Sequence, residues 1–238
     1  MTRNALVFAA VLSCLVFTTC DFVVAQPPAR SGYDVAWFDE FNGGSLDSAL
    51  WTVADTNQTT NNSQQDYLPS QVSVSGGSLR ILSENVPSRG RPYRSGLVQS
   101  TALQKEGRWD IRAKLPTSTG MWPAIWLLSD INTAPWPSQG EIDIMENRGD
   151  EPNKVSAAFH YGENGGGIFR HEFVTTDQTA FHDGVLQNYH NSFHTYSVEW
   201  DTDQLRFYVD DVHHWTVFDQ DVENFISSEA GAMRLILN

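Results

Sequence analysis

After residue 31 the sequence carries no long amphipathic helical pattern. Short β-type runs recur instead, separated by clusters of Gly, Pro, Asn and Asp. They include Gln71–Ser75 before Gly76-Gly77, Leu79–Leu82, Leu97–Ser100, Trp109–Lys114, Ala124–Leu128, Val155–Tyr161, His194–Trp200 and Leu205–Val209. Turn-punctuated runs of this kind read as the strands of an all-β sandwich or barrel. No internal repeat or low-complexity tract is evident. Asn57 to Gln65 is polar enough to be an exposed loop on the rim of a cleft. Ala232 to Asn238 begins like a buried strand and stops without a turn or solvated tail, whereas terminal residues are usually polar and loosely held. The expectation is a domain that lacks its last strand.

The first residues read as a secretory signal. Arg3 supplies a positive start, Ala5 to Phe17 is apolar but too short to span a bilayer, and small Ala25 permits cleavage after it. The expected organisation is a signal peptide at 1–25, a Pro-containing linker at 26–32 and a catalytic domain at 33–238, with secretion and no membrane association after cleavage. Both cysteines, Cys14 and Cys20, lie in the leader, so neither disulfides nor cysteine chemistry is expected in the mature chain. Roughly 210 residues remain, enough for one large β domain with a full core. Arg3 and Asp21 cancel, so the net charge stays at −14 after cleavage, which argues against nucleic acid or anionic lipid as a partner. A neutral polymer and a monomeric state are compatible with it. Asn57-Gln58-Thr59 and Asn61-Asn62-Ser63 are glycosylation sequons if the source is eukaryotic.

Glu141-Ile142-Asp143-Ile144-Met145-Glu146 places three carboxylates in one apolar, strand-like run. Successive side chains on a strand point to opposite faces, so Glu141 and Asp143 project together while Ile142 and Ile144 pack inward. Strict alternation would then bury Glu146. One extra residue, a β-bulge, returns Glu146 to the acidic face and absorbs Met145 into the irregularity. Two glutamates with an aspartate between them on one cleft wall suit a retaining glycosidase, although an acidic, solvated strand without chemistry is the plainer reading of the string alone. A retaining mechanism needs carboxyl groups about 5–5.5 Å apart. Four pleat steps span about 13 Å on a flat strand, so long Glu side chains leaning inward on a bulged strand would have to close the gap. Crowding of three acids predicts at least one raised pKa, with Glu146 as the protonated group and Glu141 ionised.

Large aromatics surround this run. Met121-Trp122-Pro123-Ala124-Ile125-Trp126-Leu127-Leu128 precedes it and Trp136-Pro137-Ser138-Gln139-Gly140 leads into it. Indole faces stack on the C–H faces of sugars while the N–H serves a hydroxyl, and a sandwich core needs the same side chains. Alternation puts Trp122, Ala124 and Trp126 on one face. Trp136, beside a proline, reads as a cleft residue. His194, His213 and His214 read as fold or surface residues, and no set of histidines has zinc spacing with the carboxylates.

Glu106–Pro116 (EGRWDIRAKLP), Gly120–Leu128 (GMWPAIWLL), Gly140–Glu146 (GEIDIME), Ala158–Gly162 (AFHYG) and Phe193–Val209 (FHTYSVEWDTDQLRFYV) resemble, in order, segments of glycoside hydrolase family 16. Asp39–Gly43 and Gly77–Ile81 resemble the family's opening strands. The six-residue acidic motif with its inserted residue is similar to that of laminarinases, endo-β-1,3-glucanases, and of related galactan hydrolases. The resemblance implies a concanavalin A-like jelly-roll β-sandwich with a concave glycan-binding cleft, and a secreted enzyme that hydrolyses β-1,3-glucan with retention. It implies Glu141 as nucleophile, Glu146 as acid/base and Asp143 assisting between them. His160 and Asn62 are the substrate-binding residues it implies, beside Trp122, Trp126 and Trp136 from the stacking argument. A galactan (agar or carrageenan) hydrolase and a non-catalytic β-glucan recognition protein stay open as alternatives. Many members hold a structural calcium with backbone oxygens near the start and an aspartate of the last strand. Gly77 offers such a carbonyl, but that aspartate is not in this sequence, so the expectation is no required cofactor and no metal at the acidic site, with a structural calcium left open. The chain also reads Ser95-Gly96-Leu97 where many laminarinases carry a cleft arginine, and Arg94 three positions earlier falls at an offset that flips faces.

Overall fold

A computed structural model describes residues 27–58, 60–129, 136–162, 169–177 (backbone only), 188–228 and 231–238. The expected signal peptide, residues 1–25, lies outside the described residues. The strands are β1 (Trp51–Val53), β2 (Gln65–Tyr67), β3 (Val72–Val74), β4 (Leu79–Ile81), β5 (Tyr93–Ser95), β6 (Val98–Ser100), β7 (Gly107–Ala113), β8 (Ala124–Ser129), β9 (Glu141–Glu146) and β10 (Lys154–Gly162). They continue with β11 (Phe169–Asp177), β12 (His194–Trp200), β13 (Leu205–Val209), β14 (Val212–Val217) and, after helix α1 (Gln220–Ser228), β15 (Met233–Leu237).

Two antiparallel sheets carry the fold. One runs β1-β6-β15-β8-β9-β10-β11 and the other β14-β13-β12-β7. Alternation along each strand sends one set of side chains between the sheets. Leu127, Ile142, Met145 and Phe159 from the first sheet meet Trp109, Tyr196, Val198, Trp200 and Phe207 from the second in one buried cluster. The Trp109 and Trp200 rings stack with centroids 6.1 Å apart. This is the jelly-roll sandwich that the resemblance implied. The segment read as an interrupted final strand is β15, which sits inside the larger sheet, hydrogen-bonded to β6 on one side and β8 on the other.

The helix is nine residues long and was not expected. Val222, Phe225 and Ile226 form its buried face, and the Asp219 side chain accepts a hydrogen bond from the Asp221 N–H at 2.9 Å as a cap. Phe225 packs against Phe159 and Tyr161, with ring centroids at 5.7 and 5.5 Å. Arg30, in the segment read as a linker, ion-pairs with Asp110 at 2.8 Å and with Asp211 at 2.7 Å.

Candidate active site

Strand β9 is bulged against both of its neighbours. On the β8 side Trp126 pairs with Asp143 and Ile125 with Met145, so Ile144 has no partner. On the β10 side Ala158 pairs with Asp143 and Ser156 with Glu146. Against β8 the residue skipped is Ile144, while against β10 neither Ile144 nor Met145 has a register partner, so the irregularity takes in Met145, as expected, together with Ile144. Both side chains are buried, at 3 % and 1 % exposure. The effect on facing is the expected one: Glu141, Asp143 and Glu146 share the outer face. Beside that row stand small residues, Ala124 and Ser156 next to Glu146 and Ala158 next to Asp143, with Trp126 on the other side of Asp143.

Each glutamate has its own indole donor. Trp122 Nε1 donates to Glu146 Oε1 at 2.7 Å, and Trp136 Nε1 donates to Glu141 Oε2 at 3.1 Å. Between them Asp143, buried, pairs with His160 Nε2 at 3.0 Å. His160 lies opposite Glu141 in the β10 ladder, and its ring is 5.6 Å from that of Trp136. Trp122 precedes the strand, which starts at Ala124 beyond Pro123, yet its indole edge reaches Glu146 on the acidic face, the face that Ala124 and Trp126 share by pairing with Glu146 and Asp143, as alternation predicted. Trp126 is on the strand, opposite Asp143, and its Nε1 donates to Asn238 Oδ1 at 2.8 Å. Asn238 also exchanges backbone hydrogen bonds with Ala124 at 3.0 and 3.2 Å.

The approach to Glu141 is fixed by Gly140. Its φ of +83° suits glycine, and a Cβ there would stand 2.9 Å from Met233 Cε and 3.3 Å from a Phe225 ring carbon. The Gly140 N–H donates to the Pro137 carbonyl at 2.8 Å, and Ser129 Oγ donates to the Gln139 carbonyl at 2.6 Å. Beyond Glu146, Asn147 anchors the strand end. Its Nδ2 donates to the Glu151 and Lys154 carbonyls at 3.0 and 2.7 Å, and its Oδ1 meets His190 Nε2 at 3.0 Å.

The electrostatics differ from expectation. Burial, and then the charge of Asp143, pushes Glu141 and Glu146 both up to about 7, not Glu146 alone. Burial raises Asp143 as well, against the hydrogen bond and charge of His160. Burial disfavours a charged His160, but the hydrogen bond and charge of Asp143, joined by Glu141 and Glu146, outweigh it and raise the ring. Groups so close titrate as a set, and near neutrality such a set holds some protons and lacks others. It therefore offers both an ionised and a protonated carboxyl without assigning them to fixed residues. Among the described residues Glu141, Asp143 and His160 are the group whose ligand atoms converge closely enough to hold a metal ion, and they belong to this cluster.

The remaining candidates lie elsewhere. Asn62 is exposed in a left-handed turn at φ 57°, its Oδ1 accepting from Gln64 Nε2 at 3.1 Å, and the described hydrogen bonds link it to no residue of the acidic strand. Arg94 pairs with Glu84 at 2.8 Å. Asn147, Arg148 and Asn238 were not singled out from sequence. Asn147 binds nearby Glu151 and Lys154 but also distant His190, and the partners of Arg148 and Asn238 are likewise distant, so only the position of the first two beside the acidic run would have pointed to them.

A family model described as Glycosyl hydrolases family 16 matches residues 47–237. Glucan endo-1,3-beta-glucosidase A1 of Niallia circulans is 35% identical over 235 residues, covering 84% of this chain and 32% of that protein. A beta-glucanase of Rhodothermus marinus is 30% identical over 228 residues, covering 89% of this chain and 73% of that protein. The catalytic domain of an endo-1,3-beta-glucanase (laminarinase) from Thermotoga petrophila RKU-1 superposes with a TM-score of 0.74 at 28% identity, covering 86% of this chain and 85% of that one. The chain thus spans about a third of the Niallia protein's length.

Proposed function

The chain belongs to glycosyl hydrolase family 16, and from that premise we propose that it is a secreted retaining endo-β-1,3-glucanase acting on laminarin-type polysaccharides. The observation that carries the mechanism is the bulged strand, which turns Glu141 and Glu146 onto one face with a separate indole N–H on each. Glu141, ionised, attacks the anomeric carbon as Glu146 protonates the departing glycosidic oxygen, so one C–O bond forms as another breaks. Glu146, now a carboxylate, takes a proton from water, whose oxygen displaces Glu141 from the sugar with net retention. Asp143 holds the pair in register and, with His160, shares the site's protons. The coupled titration of the two glutamates near neutrality supports this, since the first step requires one carboxylate and one carboxylic acid together. Trp126 and Trp136 are the sugar-facing aromatics and Asn62 a rim residue. The substrate class is supported by the names of the relatives, Glucan endo-1,3-beta-glucosidase A1 among them.

The test is reducing sugar released from laminarin, mixed-linkage glucan, agarose and carrageenan by the parent, Glu141→Gln and Glu146→Gln proteins. The parent should act on laminarin, and each variant should lose nearly all hydrolysis while keeping its fold. A fully active Glu141→Gln protein would sink the assignment. Release from agarose or carrageenan alone would overturn the substrate, and binding without release would favour a recognition protein.

A further inference from the structure

The residues that follow Glu146 are held unusually firmly. The Asn147 N–H donates to the Pro123 carbonyl at 3.2 Å, and the Asn147 side chain is fully engaged with Glu151, Lys154 and His190. The Gly149 N–H donates to the Met121 carbonyl at 2.9 Å, and its own carbonyl accepts from the Ser118 N–H at 3.1 Å. A Cβ on Gly149 would overlap the Ser118 carbonyl oxygen and lie 2.8 Å from Met121 Cβ. The backbone on both sides of Arg148 is thus stitched to Ser118, Met121 and Pro123, the segment that carries Trp122. Arg148 itself is exposed, with its guanidinium 5.6 Å from the Trp122 ring centroid, within cation–π range. Trp122 is 39% exposed, and its N–H makes the 2.7 Å hydrogen bond to Glu146.

We propose that Arg148 is a positioning residue: it clamps one face of the Trp122 indole so that the N–H stays on the Glu146 carboxyl. The covered face is then closed to sugar stacking, and Trp122 serves the acid/base carboxyl as a donor. This rests on the reading of Glu146 as acid/base. A cation–π contact at an exposed site biases the ring by about two- to fivefold, and the effect on catalysis should be of that size.

The charges facing Glu146 are Asp143 and Glu141 from its own strand, His160 from β10 and Arg148, while β8 presents Ala124. Removing the Arg148 cation and loosening the indole donor both disfavour the carboxylate, so both raise Glu146. Loss of the acid's proton sets the basic limb of the pH profile, which must then move to higher pH.

The test compares parent, Arg148→Gln and Arg148→Lys proteins. The readouts are the pH dependence of kcat/KM, thermal unfolding, and the indole ¹H–¹⁵N resonance of Trp122, identified by its loss in Trp122→Phe and followed across the neutral range. In Arg148→Gln, kcat/KM should fall by about two- to fivefold, the basic limb and the midpoint of the Trp122 resonance should move up together, and the unfolding temperature should hold. Arg148→Lys should bring both midpoints part of the way back. A Trp122 resonance with the parental midpoint in Arg148→Gln would overturn the clamp, as would a profile that changes in height alone. Should the parent hydrolyse none of the polysaccharides, the functional reading fails, while a Trp122 resonance whose limiting shifts at both ends of the titration stay parental in Arg148→Gln would still overturn the clamp.

Discussion

Asn147→Ala should remove the anchor at which the acidic strand leaves the sheet. The substitution deletes three side-chain hydrogen bonds, to the Glu151 and Lys154 carbonyls and to His190. Asn147 is 3% exposed and His190 5%, so water cannot freely take the place of the lost amide. Each bond contributes about 0.5–1.5 kcal/mol net, and the three together about 3 kcal/mol. For a domain of this size that corresponds to a fall in Tm of roughly 6–12 °C, measured by scanning calorimetry. Asn147→Asp separates shape from donors: it preserves volume and an acceptor for His190 but presents no N–H to the two carbonyls. It should lose at least the two donor bonds, about 2 kcal/mol. Because Glu146 immediately precedes this residue, kcat/KM should fall in both variants at temperatures where they are folded. Parental Tm in both would refute the anchoring role, and parental Tm in Asn147→Asp alone would show that packing, not hydrogen bonding, holds the strand end.

Trp136→Phe removes the N–H that favours the charged form of Glu141, so the nucleophile's pKa should rise and the acidic limb of kcat/KM should move up by as much as about one pH unit, with an unmoved limb counting against the contact. Stability should also depend on pH in a stated direction. Glu141 and Glu146, at about 7, and Asp143 and His160, both raised, bind more protons folded than unfolded, so the stability they confer is full at low pH and is lost as pH rises through their folded values. Tm should accordingly be higher at about pH 5 than at about pH 8, and Glu141→Gln or Glu146→Gln should flatten that slope and raise Tm at the higher pH; a slope unchanged in both variants would refute it.

Strands β12 and β13 were legible to the residue: Leu205–Val209 alternates buried and half-buried positions, and His194–Trp200 does so except at Ser197, which is buried between Tyr196 and Val198. The three-residue strands β1, β2 and β5 are too short for any period to show, and β2 and β5 pair in parallel through contacts no local pattern encodes. Helix α1 has its apolar residues at Val222, Phe225 and Ile226, a helical spacing confined to about two turns. At the site, sequence placed three acids on one face because alternation and a bulge are local properties. It put Trp122 on the face of Ala124 and Trp126, which is the acidic face, although the strand period does not extend through Pro123 and the indole reaches Glu146 from a loop. The symmetric rise of both glutamates was hidden for a different reason: it depends on how deeply each carboxyl is buried, which the other elements decide. Asn147 meets His190 and Trp126 meets Asn238 across 43 and 112 residues, separations beyond any motif.

The bulge explains how one short strand can hold both core and charge. Ile142, Ile144 and Met145 are all nearly fully buried, and burying such side chains contributes about 1.5–3 kcal/mol each. Strict alternation would offer the core only two of the three and would turn Glu146 inward, where an unpaired carboxylate costs several kcal/mol. With Ile144 skipped in both ladders, two consecutive apolar residues stay on the inner side and Glu146 returns to the row of acids. The acids in turn are held by donors from outside the strand, Trp122, Trp136 and His160. Those donors lower the pKa values that burial raises, so the apolar half of the strand fixes its depth and the donors decide how much charge it can carry at that depth. Loss of any one donor should therefore shift the site's protonation before it loosens the fold.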